Sequence, residues 1–257
     1  MRKKLAITIV VLMSLVDTTT HASPLDLTAL GSSGYFSGGY FVEGGSQVAG
    51  SGVISSFLRM QDAGIEEGYN SDGTQYVLDE KAGVFTHSIQ LSAIPIVNIG
   101  GTDYREFLLD TNEGNKTGDN LLSLDELRIY LAGSSLASNL YDQATKTLGT
   151  LSAVYDMGAS NSIQLDDSLA SGSGQPNMFA YIPNELFTLN GVSNPYVYLY
   201  SKFGAQGGVF ESNGGFEEWA VRAPEAPGPV PEPATMLLFG TGLVGLAAAM
   251  ARRRRKI

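Results

Sequence analysis

The densest set of metal-competent side chains is the run Asp110-Thr-Asn112-Glu113-Gly114-Asn115-Lys-Thr-Gly118-Asp119-Asn120, followed closely by Asp125 and Glu126. Carboxylate and amide oxygens spaced through a glycine-containing loop are the hard donors that Ca2+ takes in sets of about six to eight. The run is not an EF-hand. Counted from Asp110, its glycine falls at the fifth place instead of the sixth, and Leu121 stands where a bidentate carboxylate belongs. The expectation is a calcium site of another kind built from Asp110, Asn112, Asp119, Asp125 and Glu126, set against a plain solvated loop between two strands.

Other chemistries are harder to build from this chain. It has no cysteine, which removes thiol catalysis, iron–sulfur sites, zinc fingers and disulfides, and it has two histidines, His21 and His87. A Ser-His-Asp triad or a multi-histidine metal centre therefore lacks parts. Glu217-Glu218 and Asp166-Asp167 are paired carboxylates of the kind a glycosidase uses. Neighbours in a strand point to opposite faces, so neither pair can act together from one strand. No nucleophile elbow, phosphate loop or dinucleotide fingerprint occurs. His87 alternates with Phe85, Ile89 and Leu91 and reads as a structural, half-buried residue. Tyr35, Tyr40, Tyr69 and Tyr181 are available for stacking on sugar rings, although aromatic residues of a β protein serve mostly in packing. The expectation is a protein without catalytic function.

The elements that position these residues are short. Candidate strands cover 35–42, 52–59, 74–78, 84–91, 94–99, 104–109, 127–131, 148–155, 162–165, 178–182, 196–203 and 216–221, with 31 glycines supplying many of the turns. Long helical periodicity is absent, and no repeat with a clear period is found. Many short strands with turns between them predict an all-β fold, a β-sandwich or jelly-roll-like body. Tyr196-Val-Tyr-Leu-Tyr200 is aromatic on one face and aliphatic on the other, which suits a central strand buried on both sides.

Charge divides the chain. Eight of the sixteen basic residues sit at the two ends, and residues 23–224 hold 23 acidic against 8 basic residues, a net of −15. Such a body is repelled by nucleic acid and by anionic lipid. Residues 1–22 open with Arg2, Lys3 and Lys4, continue in an apolar run and end Thr20-His21-Ala22, the layout of a signal peptide cut by signal peptidase after Ala22. The 223–233 segment is a Pro-rich stalk. Residues 234–251 carry no charge over 18 positions, long enough for one slightly short transmembrane helix. Arg252, Arg253, Arg254, Arg255 and Lys256 follow and hold that end in the cytoplasm.

Pro231-Glu232-Pro233, an apolar helix with Gly240, Gly242 and Gly245, and the terminal arginines resemble the PEP-CTERM sorting signal of Gram-negative bacteria. The resemblance implies recognition by an exosortase, a membrane enzyme resembling cysteine proteases that removes the tail near Pro-Glu-Pro. Prolines lack the amide proton and stiffen an extended segment, which suits a processing site. The body, through Gly52 to Gln61, Glu67-Gly-Tyr-Asn70, Phe85-Thr-His-Ser88, Tyr104 to Asp110, Leu122 to Leu127 and Gly215-Phe-Glu-Glu-Trp219, resembles exported bacterial proteins that share this tail. That likeness implies an extracytoplasmic β domain and no reaction.

The organisation expected is a signal peptide (1–22), an acidic β-sandwich domain (23–222), a stalk with the Pro-Glu-Pro motif (223–233), and a membrane sorting helix with a basic tail (234–257). The protein is expected to pass transiently through the inner membrane and to end in the outer envelope, on the cell surface or in the extracellular matrix. Its expected work there is structural or binding, with polysaccharide as a partner. The alternative is a calcium-stabilised carbohydrate-binding module, and a glycoside hydrolase comes last.

Overall fold

Short apolar runs parted by glycine turns become eighteen strands among the described residues of a computed structural model, which are 23–45, 54–73, 78–113, 119–136, 140–170 and 174–223. The first six are β1 (Leu25–Asp26), β2 (Ser33–Phe36), β3 (Gly39–Glu43), β4 (Ile54–Met60), β5 (Ala63–Gly64) and β6 (Glu66–Tyr69). Next come β7 (Ile89–Gln90), β8 (Ile96–Ile99), β9 (Thr102–Asp110), β10 (Leu121–Ala132), β11 (Tyr141–Asp142) and β12 (Thr147–Leu148). The last are β13 (Tyr155–Asp156), β14 (Ile163–Asp166), β15 (Met178–Pro183), β16 (Tyr196–Phe203), β17 (Ser212–Asn213) and β18 (Glu217–Arg222). The expected signal peptide, the stalk from residue 224 onward and the sorting helix with its arginines lie outside the described residues. The chain divides into one unit ending at Arg222 and a second, Ala223–Ile257.

Two seven-stranded sheets form most of the body, with two two-stranded ladders, β11-β12 and β5-β17, beside them, and nearly all pairings are antiparallel. The first runs β1-β14-β10-β16-β6, with β13 also on β10 and β7 on β16. The second runs β2-β3-β15-β9-β18-β4, with β8 also on β9. Only β1 joins its neighbour, β14, in parallel. Side chains from both sheets meet in one apolar cluster, among them Phe41, Leu58, Phe107 and Trp219 from the second and Leu124, Ile129, Leu199 and Phe203 from the first. Each such fully buried side chain contributes about 1.5–3 kcal/mol by leaving water. The fold is thus an all-β sandwich. Trp219 Nε1 donates to Ser201 Oγ at 2.9 Å, a polar tie from one sheet to the other.

The first sheet is buried on both faces. Val197 and Leu199 of β16 belong to the main cluster, whereas Tyr198 and Tyr200 join Tyr69, Tyr130 and Leu148 in a second cluster on the outer side. Period-two alternation forces this division, because successive side chains leave a strand on opposite faces.

Several expected strands come out differently. The 35–42 stretch is a hairpin, β2 and β3, because Ser37 and Gly38 take φ of 49° and 83° and turn the chain. Of 84–91 only Ile89–Gln90 is strand. Phe85 is drawn out of any alternation by stacking under the Arg59 guanidinium, 3.5 Å from ring centroid to Cζ. The 148–155 stretch breaks at Gly149, φ 60°, leaving strand only at its two ends. Residues 74–77 of the expected 74–78 strand lie outside the described residues, and Leu78 is not in a strand.

Candidate functional site

Glutamates from β18, from β6 and from the segment after β9 meet at one end of the sandwich. In β18, Glu217 and Glu218 leave the strand on opposite faces. Glu218 pairs with Arg59 of β4, whose guanidinium also lies over the rings of Phe85 and Phe216. Glu217 turns the other way, is 0% exposed, and pairs across the ladder with Met60 of the core. It faces Glu66 of β6 in the opposite sheet and Glu113, three residues past β9, each within hydrogen-bonding reach.

The three carboxyls are anchored unequally. Glu66 Oε2 accepts from the Asp62 amide at 2.9 Å, and Glu113 Oε2 accepts from the Asn213 amide at 3.0 Å. Glu66 Oε1, Glu113 Oε1 and both oxygens of Glu217 accept from no donor; what they face are one another's carboxyl oxygens. Among the described residues, the only other buried side-chain oxygen without a partner is Ser71 Oγ. Burial pushes all three carboxyls upward, Glu113 to about 7 and Glu217 far above the ordinary carboxylate range; the charges of Glu66 and Glu113 raise Glu217 further, whereas the contact with Glu217 opposes the rise at the other two. None of the ion pairs among the described residues involves them.

Backbone packing brings these distant segments together. A Cβ on Gly215, two residues before Glu217, would overlap the carbonyl oxygen of Asn112, so only glycine lets the 112–113 segment lie so close to the start of β18. Gly204, φ +80°, abuts the carbonyl of Gly64 in the same way.

The residues of the expected calcium site are placed elsewhere, mostly with protein partners of their own. Asp110 closes β9, accepts from the Gly174 amide at 2.7 Å, and is raised to about 7 by burial and by the nearby charges of Glu218 and Asp167. Asn112 is exposed, and Asp119, also exposed, accepts at its backbone carbonyl from Asn213 Nδ2. Asp125 accepts from Ser123 Oγ at 2.9 Å, the Ala205 amide at 2.7 Å and Gln206 Nε2 at 3.0 Å. Glu126 pairs with Arg128 and, at 3.2 Å, with Lys146. No group of three or more His, Asp or Glu among the described residues stands at metal-ligand spacing. His87 is half-buried with Nδ1 2.9 Å from the Ser88 carbonyl oxygen.

Sequence reasoning passed over Glu66, Glu113 and Glu217 as a group. The signal was present in the doublets Glu66-Glu67 and Glu217-Glu218: in a strand, one member of each must point inward.

A second feature lies on the outer face of the β2-β3-β15 edge. Tyr35 stacks on Tyr40 at 4.6 Å between ring centroids, Tyr40 on Tyr181 at 6.1 Å, and Tyr181 on Phe179 at 6.1 Å. Cross-strand register explains the row: Tyr35 pairs with Tyr40, and Tyr40 with Tyr181. Exposure falls along it, from 61% at Tyr35 through half-buried Tyr40 and Tyr181 to 2% at Phe179. Beside it, Glu106 accepts from Tyr181 Oη at 3.3 Å and from Arg222 Nε at 2.9 Å. Of the four tyrosines singled out in the sequence, three meet here; Tyr69 is buried under the other sheet.

An all-β body with buried carboxyls and a surface aromatic row defines an architecture and names no reaction. The tail is more specific. Residues 229–255 match the family model of the PEP-CTERM protein-sorting motif, so the chain carries the sorting signal of exported proteins handled by exosortase. No curated protein and no solved structure matches the chain.

Proposed function

We propose that the protein is a non-catalytic binding component of the cell envelope or exopolysaccharide matrix, delivered there by its sorting tail, and that its body holds neutral glycan on the Tyr35–Tyr40–Tyr181 row. The observation that carries this reading is the row itself. The stack props Tyr35, 61% exposed, at its outer end, where its ring can take the flat, apolar C–H face of a pyranose. Tyr combines a large apolar face with a polar tip. Arg222, its side chain 42% exposed and held beside Tyr181 by the buried Glu106, supplies donors for sugar hydroxyls. A net charge of −15 over residues 23–224 favours a neutral chain over an anionic one. The carboxyl group of Glu217 is 0% exposed and out of reach of a sugar, which supports binding without hydrolysis.

The test is affinity electrophoresis of the full-length chain, in detergent, through gels containing neutral polysaccharides. Retardation that Tyr35→Ala abolishes supports the reading; equal mobility of both proteins in every gel overturns it. Delivery is checked on the mature protein from cells by intact mass, with ends expected near Ser23 and within 231–233.

A further inference from the structure

We propose that Glu66, Glu113 and Glu217 form a binding site for a hard divalent cation of the calcium type at the end of the sandwich core. The site shares no residue with the aromatic row, and its success or failure is independent of glycan binding. It also shares no residue with the loop site expected from the sequence.

Two observations support the site separately. The first is the arrangement of the outer two acids: Glu66 and Glu113 each spend one oxygen on a backbone amide and turn the other toward Glu217. Tied in this way, the carboxyls are oriented before any ligand arrives. The second is Glu217 itself. Its side chain is wholly buried, and both its oxygens lack a donor. A buried acceptor left without a partner costs about 1–3 kcal/mol, more when charged, and folds remove such groups unless something else satisfies them.

Elsewhere in the molecule buried acids are satisfied by the protein. Glu43 accepts from the Gly31 and Gly45 amides, Glu106 from Arg222, and Glu218 from Arg59. The Glu217 group has three carboxyls and no such cation. A divalent ion displaces the protons that these carboxyls hold, offsets two of the three charges so formed, and fills the orphaned oxygen positions.

The donor chemistry selects the ion. An all-carboxylate set suits hard cations over the softer metals that prefer imidazole or thiolate. Ca2+ takes about six to eight oxygens in flexible geometry, and three carboxylates can supply up to about six, whereas Mg2+ keeps several of its waters. A place as enclosed as that of Glu217 therefore favours Ca2+ over Mg2+. The three groups meet carboxyl to carboxyl, not around a point at ligand spacing, so the ion takes the place of those direct contacts.

The experiment uses the full-length chain in detergent, stripped with EDTA. Thermal unfolding is followed against CaCl2 and MgCl2, and Tb3+ luminescence is excited through Trp219, which lies two residues from Glu217 on the same strand face, about 7 Å along it. Expected are a Ca2+-dependent rise in Tm that exceeds the Mg2+ effect, and terbium emission that Ca2+ displaces. In Glu217→Gln the half-saturating Ca2+ should rise at least about tenfold, because ligand charge sets calcium affinity. An unchanged Tm together with no terbium emission overturns the proposal, as does an undiminished response in E217Q. If E217Q fails to fold, Glu66→Gln and the wild-type terbium titration decide. A Ca2+ response lost instead in Asp125→Asn, and kept in E66Q, places the ion at the other acids and overturns this assignment.

Discussion

Two acidic groups of the body are held in opposite ways. On the outer side of the first sheet, Arg128 of β10 is 2% exposed, pairs with Glu126, donates through Nε to Asp156 at 2.8 Å, and reaches Tyr141 Oη at 3.1 Å. Lys146 adds a second cation to Glu126, and the stacked rings of Tyr141 and Tyr200, 4.0 Å apart, close over the group. Between the sheets, Glu66, Glu113 and Glu217 have no guanidinium. The acids next to Arg128 have their partner within the fold, whereas the three acids beside one another do not. The difference lies in the partner, not in burial as such.

The largest way to break the contrast is Arg128→Ala. Removing the cation strands Glu126 beside a half-exposed Asp156, and loss of one partner of a buried pair costs about 3–5 kcal/mol. Because Asp156 has 46% of its side chain exposed, the lower end, about 3 kcal/mol, is expected in urea unfolding. Glu217→Gln in EDTA should move stability the other way, upward by about 1–3 kcal/mol, since its amide N–H groups give donors to the Glu66 and Glu113 oxygens that lack them. A loss of stability in that variant without metal would erase the distinction between the two regions.

The pH dependence sharpens it. Burial raises Glu126, but the hydrogen bond and charge of Arg128, with Lys146, outweigh this and hold it below the ordinary value. Its contribution is therefore present at neutral pH and lost as pH falls through the folded pKa. Asp110, raised by burial to about 7, behaves oppositely: its favourable term is present below the unfolded value of about 3.9 and is lost as pH rises toward about 7. Asp110→Asn should flatten the fall in stability between about pH 4 and 7 by about 1–2 kcal/mol, measured by urea unfolding at a series of pH values. The smallest effect belongs to the surface. Tyr35→Ala, at a residue 61% exposed, should change stability by less than about 0.5 kcal/mol while removing retention by glycan.

Much of the scaffold was legible in the residues. The alternation in 196–200 indicated a strand buried on both faces, and β16 is one, because aromatic and aliphatic sets that differ in kind both need cover. The 84–91 stretch misled: Phe85 counts as apolar in any pattern, yet a cation from another strand claims its ring, and such a claim is tertiary. The candidate site divides in the same way. The tail motif was readable because its parts are contiguous. Glu66, Glu113 and Glu217 come from segments about 50 and 100 positions apart, and their meeting depends on sheet order and on the close approach at Gly215, neither of which leaves a local signal. The acid-rich 110–126 run drew attention by density, but density says nothing of partners, and Asp125 and Glu126 turn out to have theirs.

The strand that precedes the tail has a mechanical meaning. β18 ends at Arg222 and lies hydrogen-bonded between β4 and β9, along all six of its residues on one side and over Glu218, Trp219 and Ala220 on the other. Any pull that reaches the body through residue 223 must tear two ladders at once, so whatever the tail is fastened to tugs on an interior stave of the molecule and not on a loose hem.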